Sequence, residues 1–275
     1  MNPRNQESNQ MSKKQSTELV EANETALVVP DFMQTAETEG LDEISKYQTT
    51  PRLTLIQGQS SPERKEQFGE GGVCIMPDNV GIAEPGEEFT VVPLVFWVTW
   101  EVWSDINDPT LPMVCESTMD ETSDIARRAK NADLREEVYG DRSEYRKNYI
   151  ECLNFIVAID GGPSDGTIAT LTFSKGEHYA GSKLCSFLKR RKVPIYGNRI
   201  ALKSQARTRN NRSWWGLEFN NPADGNAFVT SKEKFEEFQA MHRELADLMR
   251  TSSLSVNRED DNVNDSSNSS EDCPI

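Results

Sequence analysis

The chain has little that would hold a metal, cross a membrane or build a disulfide framework. Of its 275 residues only two are histidine, His178 and His242. The five cysteines (Cys74, Cys115, Cys152, Cys185, Cys273) are scattered, odd in number and never closer than 33 residues. No pair has the short spacing of a zinc knuckle or a redox motif, so a reduced compartment with neither metal nor cofactor is expected. The longest near-continuous apolar run, residues 89–98, has ten residues, whereas a membrane helix needs about 20. The opening MNPRNQESNQ has no apolar segment, so no secretory signal is read there and a cytoplasmic location is expected, the host's if the protein is viral. Positive charge is scarce too: 30 Lys+Arg face 45 Asp+Glu, a formal net charge of -15. With 36% hydrophobic residues and a mean hydropathy of -0.66, part of the chain is expected to stay outside any core.

Composition divides what is present into three. Residues 1–48 carry nine acids against four Lys/Arg and read as a disordered acidic arm, because they cannot offset their own ordering entropy. Residues 251–275 hold six acids, one Arg and repeated Ser and Asn, the composition of a solvated acidic tail. Residues 49–250 between them carry globular signals.

In that middle portion strands dominate. Arg52–Gln57 reads as a first strand, and residues 89–103 as a strong strand or bent strand pair rich in β-branched and aromatic residues. Residues 149–159 and 167–173 flank the turn-rich Asp160–Gly166 and predict a hairpin. Shorter strands are expected at 195–202 and 214–219. A charged helix is expected within 120–138, a short one at 182–191, and an amphipathic one at 230–249. The last opens on a Thr230/Glu233 capping box and aligns Phe235, Phe238, Leu245 and Met249. The fold class is therefore mainly β (α+β), with a C-terminal packing helix.

Within this acidic chain the sign of the charge reverses locally. From His178 to Leu217 there are ten basic residues and no acidic one (Lys183, Lys189, Arg190, Arg191, Lys192, Arg199, Lys203, Arg207, Arg209, Arg212), leaving -25 for the rest. Such a stretch reads as a footprint for a polyanion. Phe187, Tyr196, Trp214 and Trp215 are interleaved with it, and basic residues tracking phosphates beside aromatics stacking on bases is how single strands are held. Adjacent residues of a strand point to opposite faces, so at most one of Trp214 and Trp215 is core. The same parity in 89–103 turns Val92, Leu94, Phe96, Val98, Trp100 and Val102 inward and leaves Trp97, Thr99, Glu101 and Trp103 on a mixed face. That face either offers Trp97 and Trp103 as a stacking platform or is covered by the helix at 230–249 or by a dimer partner. The plainer alternatives for the basic run are a solubilising surface and a dock for the chain's own acidic tail.

Enzymatic constellations are missing. Gly176–Lys183 has the glycines of a phosphate loop but places Ser182 before Lys183, the reverse of the order the chemistry needs. There is no G-x-S-x-G and no nuclease-like set of carboxylates, so no enzyme is expected.

The ending Glu271-Asp272-Cys273-Pro274-Ile275 resembles the tip of the acidic tail of bacterial and phage single-stranded-DNA-binding proteins, departing from the bacterial form at the last residue, where Ile275 replaces an aromatic. The segments Pro51–Gln57, Ile200–Gln205 and Trp214-Trp215-Gly216 are likewise similar to acidic proteins of tailed bacteriophages, a likeness over roughly residues 50–220. The resemblance implies an OB-like β-barrel that binds single-stranded DNA during viral replication or recombination and recruits partner proteins through the tail. The residues expected to contact phosphates are Lys189, Arg190, Arg191, Lys192, Arg199, Lys203, Arg207, Arg209 and Arg212. Tyr196, one of Trp214/Trp215, and Trp97 or Trp103 are expected to stack on bases. The tail is expected to compete with DNA for the basic segment. The alternative is a virion, assembly or regulatory protein, contacting RNA polymerase or a replisome component, that docks an acidic partner on 183–212.

Overall fold

The apolar stretch at 89–103 forms the spine of the molecule. In the computed structural model, which describes residues 51–104, 114–138, 146–209 and 212–250, it becomes one 17-residue strand, β4 (Glu88–Ser104). The acidic arm and the acidic tail expected at the two ends lie outside the described residues. Along one side β4 pairs antiparallel with β7 (Arg146–Ile159) over nearly its whole length. Along the other it pairs first with β9 (Ile200–Arg209) through Glu88–Val91, and at its far end with β5 (Val114–Thr118) through Trp100–Trp103.

The predicted hairpin forms: β7 pairs with β8 (Ile168–Phe173) from Leu153↔Phe173 to Ala158↔Ile168. Beyond β8 lie β1 (Arg52–Leu55), parallel to it, then β2 (Val73–Met76) and β3 (Val80–Ala83). A short β6 (Glu136–Val138) pairs with β7, and β10 (Arg212–Asn220) pairs with β9. The result is a strongly curled mixed sheet of ten strands in the order β10-β9-β4-β7-β8-β1-β2-β3, with β5 and β6 off that path, forming a half-barrel. Four helices accompany it among the described residues: α1 (Pro62–Phe68), α2 (Asp124–Lys130), α3 (His178–Arg191) and α4 (Lys232–Arg250). None is long and apolar enough to cross a membrane.

The connectivity is OB-like: an antiparallel meander β4-β7-β8, a helix, and a hairpin whose first strand returns to pair with the first strand of the meander. The curl wraps α3. Ala180, Leu184 and Leu188, four residues apart, fall on one stripe and pack with Leu53 and Val73 from one end of the sheet and Leu202 and Leu217 from the other. Gly181 lets the helix sit this close, since a Cβ there would lie 2.6 Å from Phe173 Cβ and 3.1 Å from Leu153 Cδ1. The opposite face carries α4, whose Phe238 packs with Val92, Leu94, Val95, Ile156 and Ala158. Helix α2 covers Trp100, Val102 and Tyr149.

Several expectations change. A bulge between Pro93 and Val95 interrupts the alternation of β4. Before it Val91 packs on the α3 side and Val92 on the α4 side; after it Trp97 packs on the α4 side and Val98 on the α3 side. Phe96, read as inward, is exposed. The mixed face is buried rather than solvated. There the Glu101 carboxylate accepts from Thr99 Oγ1 at 2.9 Å and Trp103 Nε1 at 2.7 Å, while Asn154 Nδ2 donates to Thr99 Oγ1 and Thr172 Oγ1 donates to Asn154 Oδ1. A row of polar side chains that satisfy one another is stable without water. The helix expected over 120–138 is only α2, capped by Ser123 Oγ accepting from Ala126 N. Residues 195–197 make a single 3-10 turn instead of strand. The cap of α4 falls one residue later than Thr230, on Ser231, whose Oγ accepts from Lys234 N.

Candidate nucleic-acid interface

Three of the predicted phosphate-binding arginines are engaged in holding the fold. Arg191, near the end of α3, donates to Asn198 Oδ1, the carbonyls of Arg199 and Ala227, and Asn221 Oδ1. Burial pulls its pKa down. Arg199 Nε lies 2.5 Å from Asp160 Oδ2 and its Nη1 2.7 Å from Asp224 Oδ2, with only 17% of the side chain exposed. Asp160 in turn faces Lys234 of α4. Arg207 reaches from β9 across Gly216 to the outer edge of β10, where Nη1 donates to Glu177 Oε1 at 3.0 Å and Nη2 to the Leu217 carbonyl at 2.8 Å. Lys203 is exposed and stands in register between Glu88 and Glu218 on the neighbouring strands. Lys189, Arg190 and Lys192 are exposed on the last turn of α3 and at its cap. Arg209 and Arg212 face each other at the tip of the β9–β10 hairpin; their side chains lie outside the described residues.

The aromatics are redistributed in the same way. Tyr196 is buried, its ring 5.2 Å from Phe235 and 5.1 Å from His242, and its hydroxyl accepts from Gln239. Trp103 is buried and bonded to Glu101, so neither presents an open face. Trp97 packs into the α4 cluster, the covered alternative. Trp214 and Trp215 do lie on opposite faces of β10, and both are half-buried. Trp214 Nε1 donates to Glu177 Oε1. Trp215 lies flat on Gly71, where a Cβ would come within 2.5 Å of the indole, and its backbone N–H and C=O are both held by the Gln57 amide at 2.9 Å.

A cleft of about 560 Å³ opens beside the start of α3, lined in part by Arg135, Glu136, Glu151, Lys175, His178 and Tyr179. Tyr179 is 70% exposed, the most exposed large apolar or aromatic side chain among the described residues, and Lys183 holds its amine 4.4 Å from the ring centroid. Lys175, at a left-handed backbone position (φ 48°), places its amine 4.1 Å from the Trp103 ring. His178 Nε2 and Glu151 Oε2 stand 3.2 Å apart, an ion-pair separation at an angle outside hydrogen-bond geometry. The cleft adjoins the hairpin through Glu177: Gly176 lies against the Trp214 indole, and Glu177 bonds Trp214 and Arg207. One continuous surface thus runs from Arg135 and Lys175 past Tyr179 to the base of the β9–β10 hairpin. The sequence reading overlooked Tyr179, although it stands inside the basic window four residues before Lys183. That i,i+4 spacing on a helix was the available signal. Among the described residues no cluster of His, Cys, Asp and Glu could hold a metal ion.

The site is thus an aromatic cleft of mixed charge at one end of an OB-like half-barrel that wraps a helix. The chain belongs to the Pam3 phage gp34-like protein family, which matches residues 21–249. No curated protein and no solved structure matches it.

Proposed function

We propose that this phage protein binds single-stranded DNA, with little sequence preference and without cutting it, through the cleft and the adjoining hairpin. The observation that carries the reading is Tyr179: a ring 70% exposed, with an ammonium against it, on the lip of a cleft where Arg135 and Lys175 stand among the carboxylates Glu136 and Glu151. Side chains that stack on bases and side chains that meet phosphates are both needed for single strands, and here they share one surface. Such a protein would serve phage DNA replication or recombination. In an OB-type barrel the second and third strands and the loops beside them form the oligonucleotide face. The corresponding parts here are β7, β8, the 105–145 connection and the β9–β10 tip.

The test is tryptophan fluorescence titrated with oligo-dT and with duplex of equal length, backed by a gel shift. Tyr179→Ala is expected to weaken oligo-dT binding by ~1–3 kcal/mol while leaving the fold intact. Unchanged affinity in that variant, or equal affinity for duplex, would overturn the proposal.

A further inference from the structure

The basic segment is divided by the length of α3. Its start borders the cleft; its end, 14 residues on and so about 20 Å away, carries a second cationic surface. There the side chains of Lys189, Arg190 and Lys192 are exposed and make no hydrogen bond or ion pair with any described residue. Cations at a helix C-terminus complement its dipole, but that does not account for the apolar side chains beside them. Val193 is 38% and Phe228 43% exposed. Both flank the Gly197–Asn198 backbone: Val193 Cγ2 approaches Gly197, and Phe228 pairs with Asn198. Arg191 stacks between Phe187 and Phe228, 4.3 and 5.3 Å from the two rings, and fixes the patch in place.

We infer that this patch is a docking site for residues 251–275 of the chain itself. That segment has the opposite sign, six carboxylates against one arginine, and runs Glu271-Asp272 directly into Cys273-Pro274-Ile275. Acidic residues followed by apolar ones match cations followed by Val193 and Phe228. Reach is no obstacle, because α4 ends at Arg250 and 25 residues extend to roughly 80 Å. The patch is separate from the Tyr179 cleft, so tail and nucleic acid occupy different ends of α3 and need not compete. This replaces the competition expected from charge alone.

The experiment places a photo-crosslinker at the tip of the tail in the full chain, Ile275→p-benzoylphenylalanine, and maps the adducts by mass spectrometry after digestion. Adducts are expected in peptides covering 187–195 and 221–229. Their yield should fall about tenfold when K189E, R190E and K192E are combined, fall severalfold with Phe228→Ser, and stay unchanged with Tyr179→Ala. Adducts concentrated in 175–183 or 207–215, adducts scattered over the surface, or an undiminished yield in the charge-reversed chain would each overturn the assignment.

Discussion

Single positions show how closely the surface charges are bound into the backbone. Gly216 is the gap through which the Arg207–Glu177 pair reaches the edge of β10; a Cβ there would lie 2.5 Å from Glu177 Oε1 and 2.7 Å from Arg207 Nε. Gly216→Ala therefore displaces the pair and leaves the N–H and C=O of Leu217 without partners. A loss of about 1–3 kcal/mol is expected by urea denaturation. Cys74 gives a test of a different kind. Burial pushes its thiol up to about 11, against the opposing pull of Arg64 and Arg52. The folded chain keeps this proton where the unfolded chain releases it, so the stabilisation is complete below about pH 9 and is lost as pH rises towards 11. At pH 8 Cys74 should resist a thiol reagent in the native protein and react once urea unfolds it, which peptide mapping of the modified cysteines will show.

At the scale of elements, the question is how an open half-barrel avoids sticking to its neighbours. The outer edge of β10 is an exposed template for another strand, yet two of its outward-facing residues are already satisfied by side chains: Trp215 by the Gln57 amide and Leu217 by the Glu177–Arg207 pair. Gln57→Ala should uncover one of these positions, costing about 1–3 kcal/mol and adding a concentration-dependent dimer in light scattering. No reading of the sequence could anticipate this, since Gln57 and Trp215 stand 158 residues apart. By contrast, the β7–β8 hairpin was legible because Asp160–Gly166 is a turn by composition, and α4 because its apolar positions recur at helical spacing. The short β2, β3, β5 and β6 were not. Strands of three to five residues show little alternation of their own, and tertiary pairing decides them.

For the whole molecule, the sequence located the basic segment but could not show how its charge is spent. The partners of Arg199 and Arg207, which are Asp160, Asp224 and Glu177, lie outside the window 178–217, so a local count of acids missed them. The consequence is measurable. The nine phosphate contacts expected from the sequence would give a log–log salt slope near -6 on single strands, at about -0.7 per contact. With Arg191, Arg199 and Arg207 tied down, the slope for oligo-dT should be no steeper than about -4, read from titrations at several salt concentrations. The connectivity around α3 carries one more consequence, for the order in which the molecule is made. The helix is surrounded by strands from both sides of it in the chain: β1, β2, β4, β7 and β8 precede it, β9 and β10 follow, and Leu202 and Leu217 cover it last. During synthesis the earlier strands and the helix leave the ribosome before the hairpin that walls it in. The growing chain therefore passes through a stage in which its central helix lies in an open trough, seated but uncovered, until residue 220 has emerged.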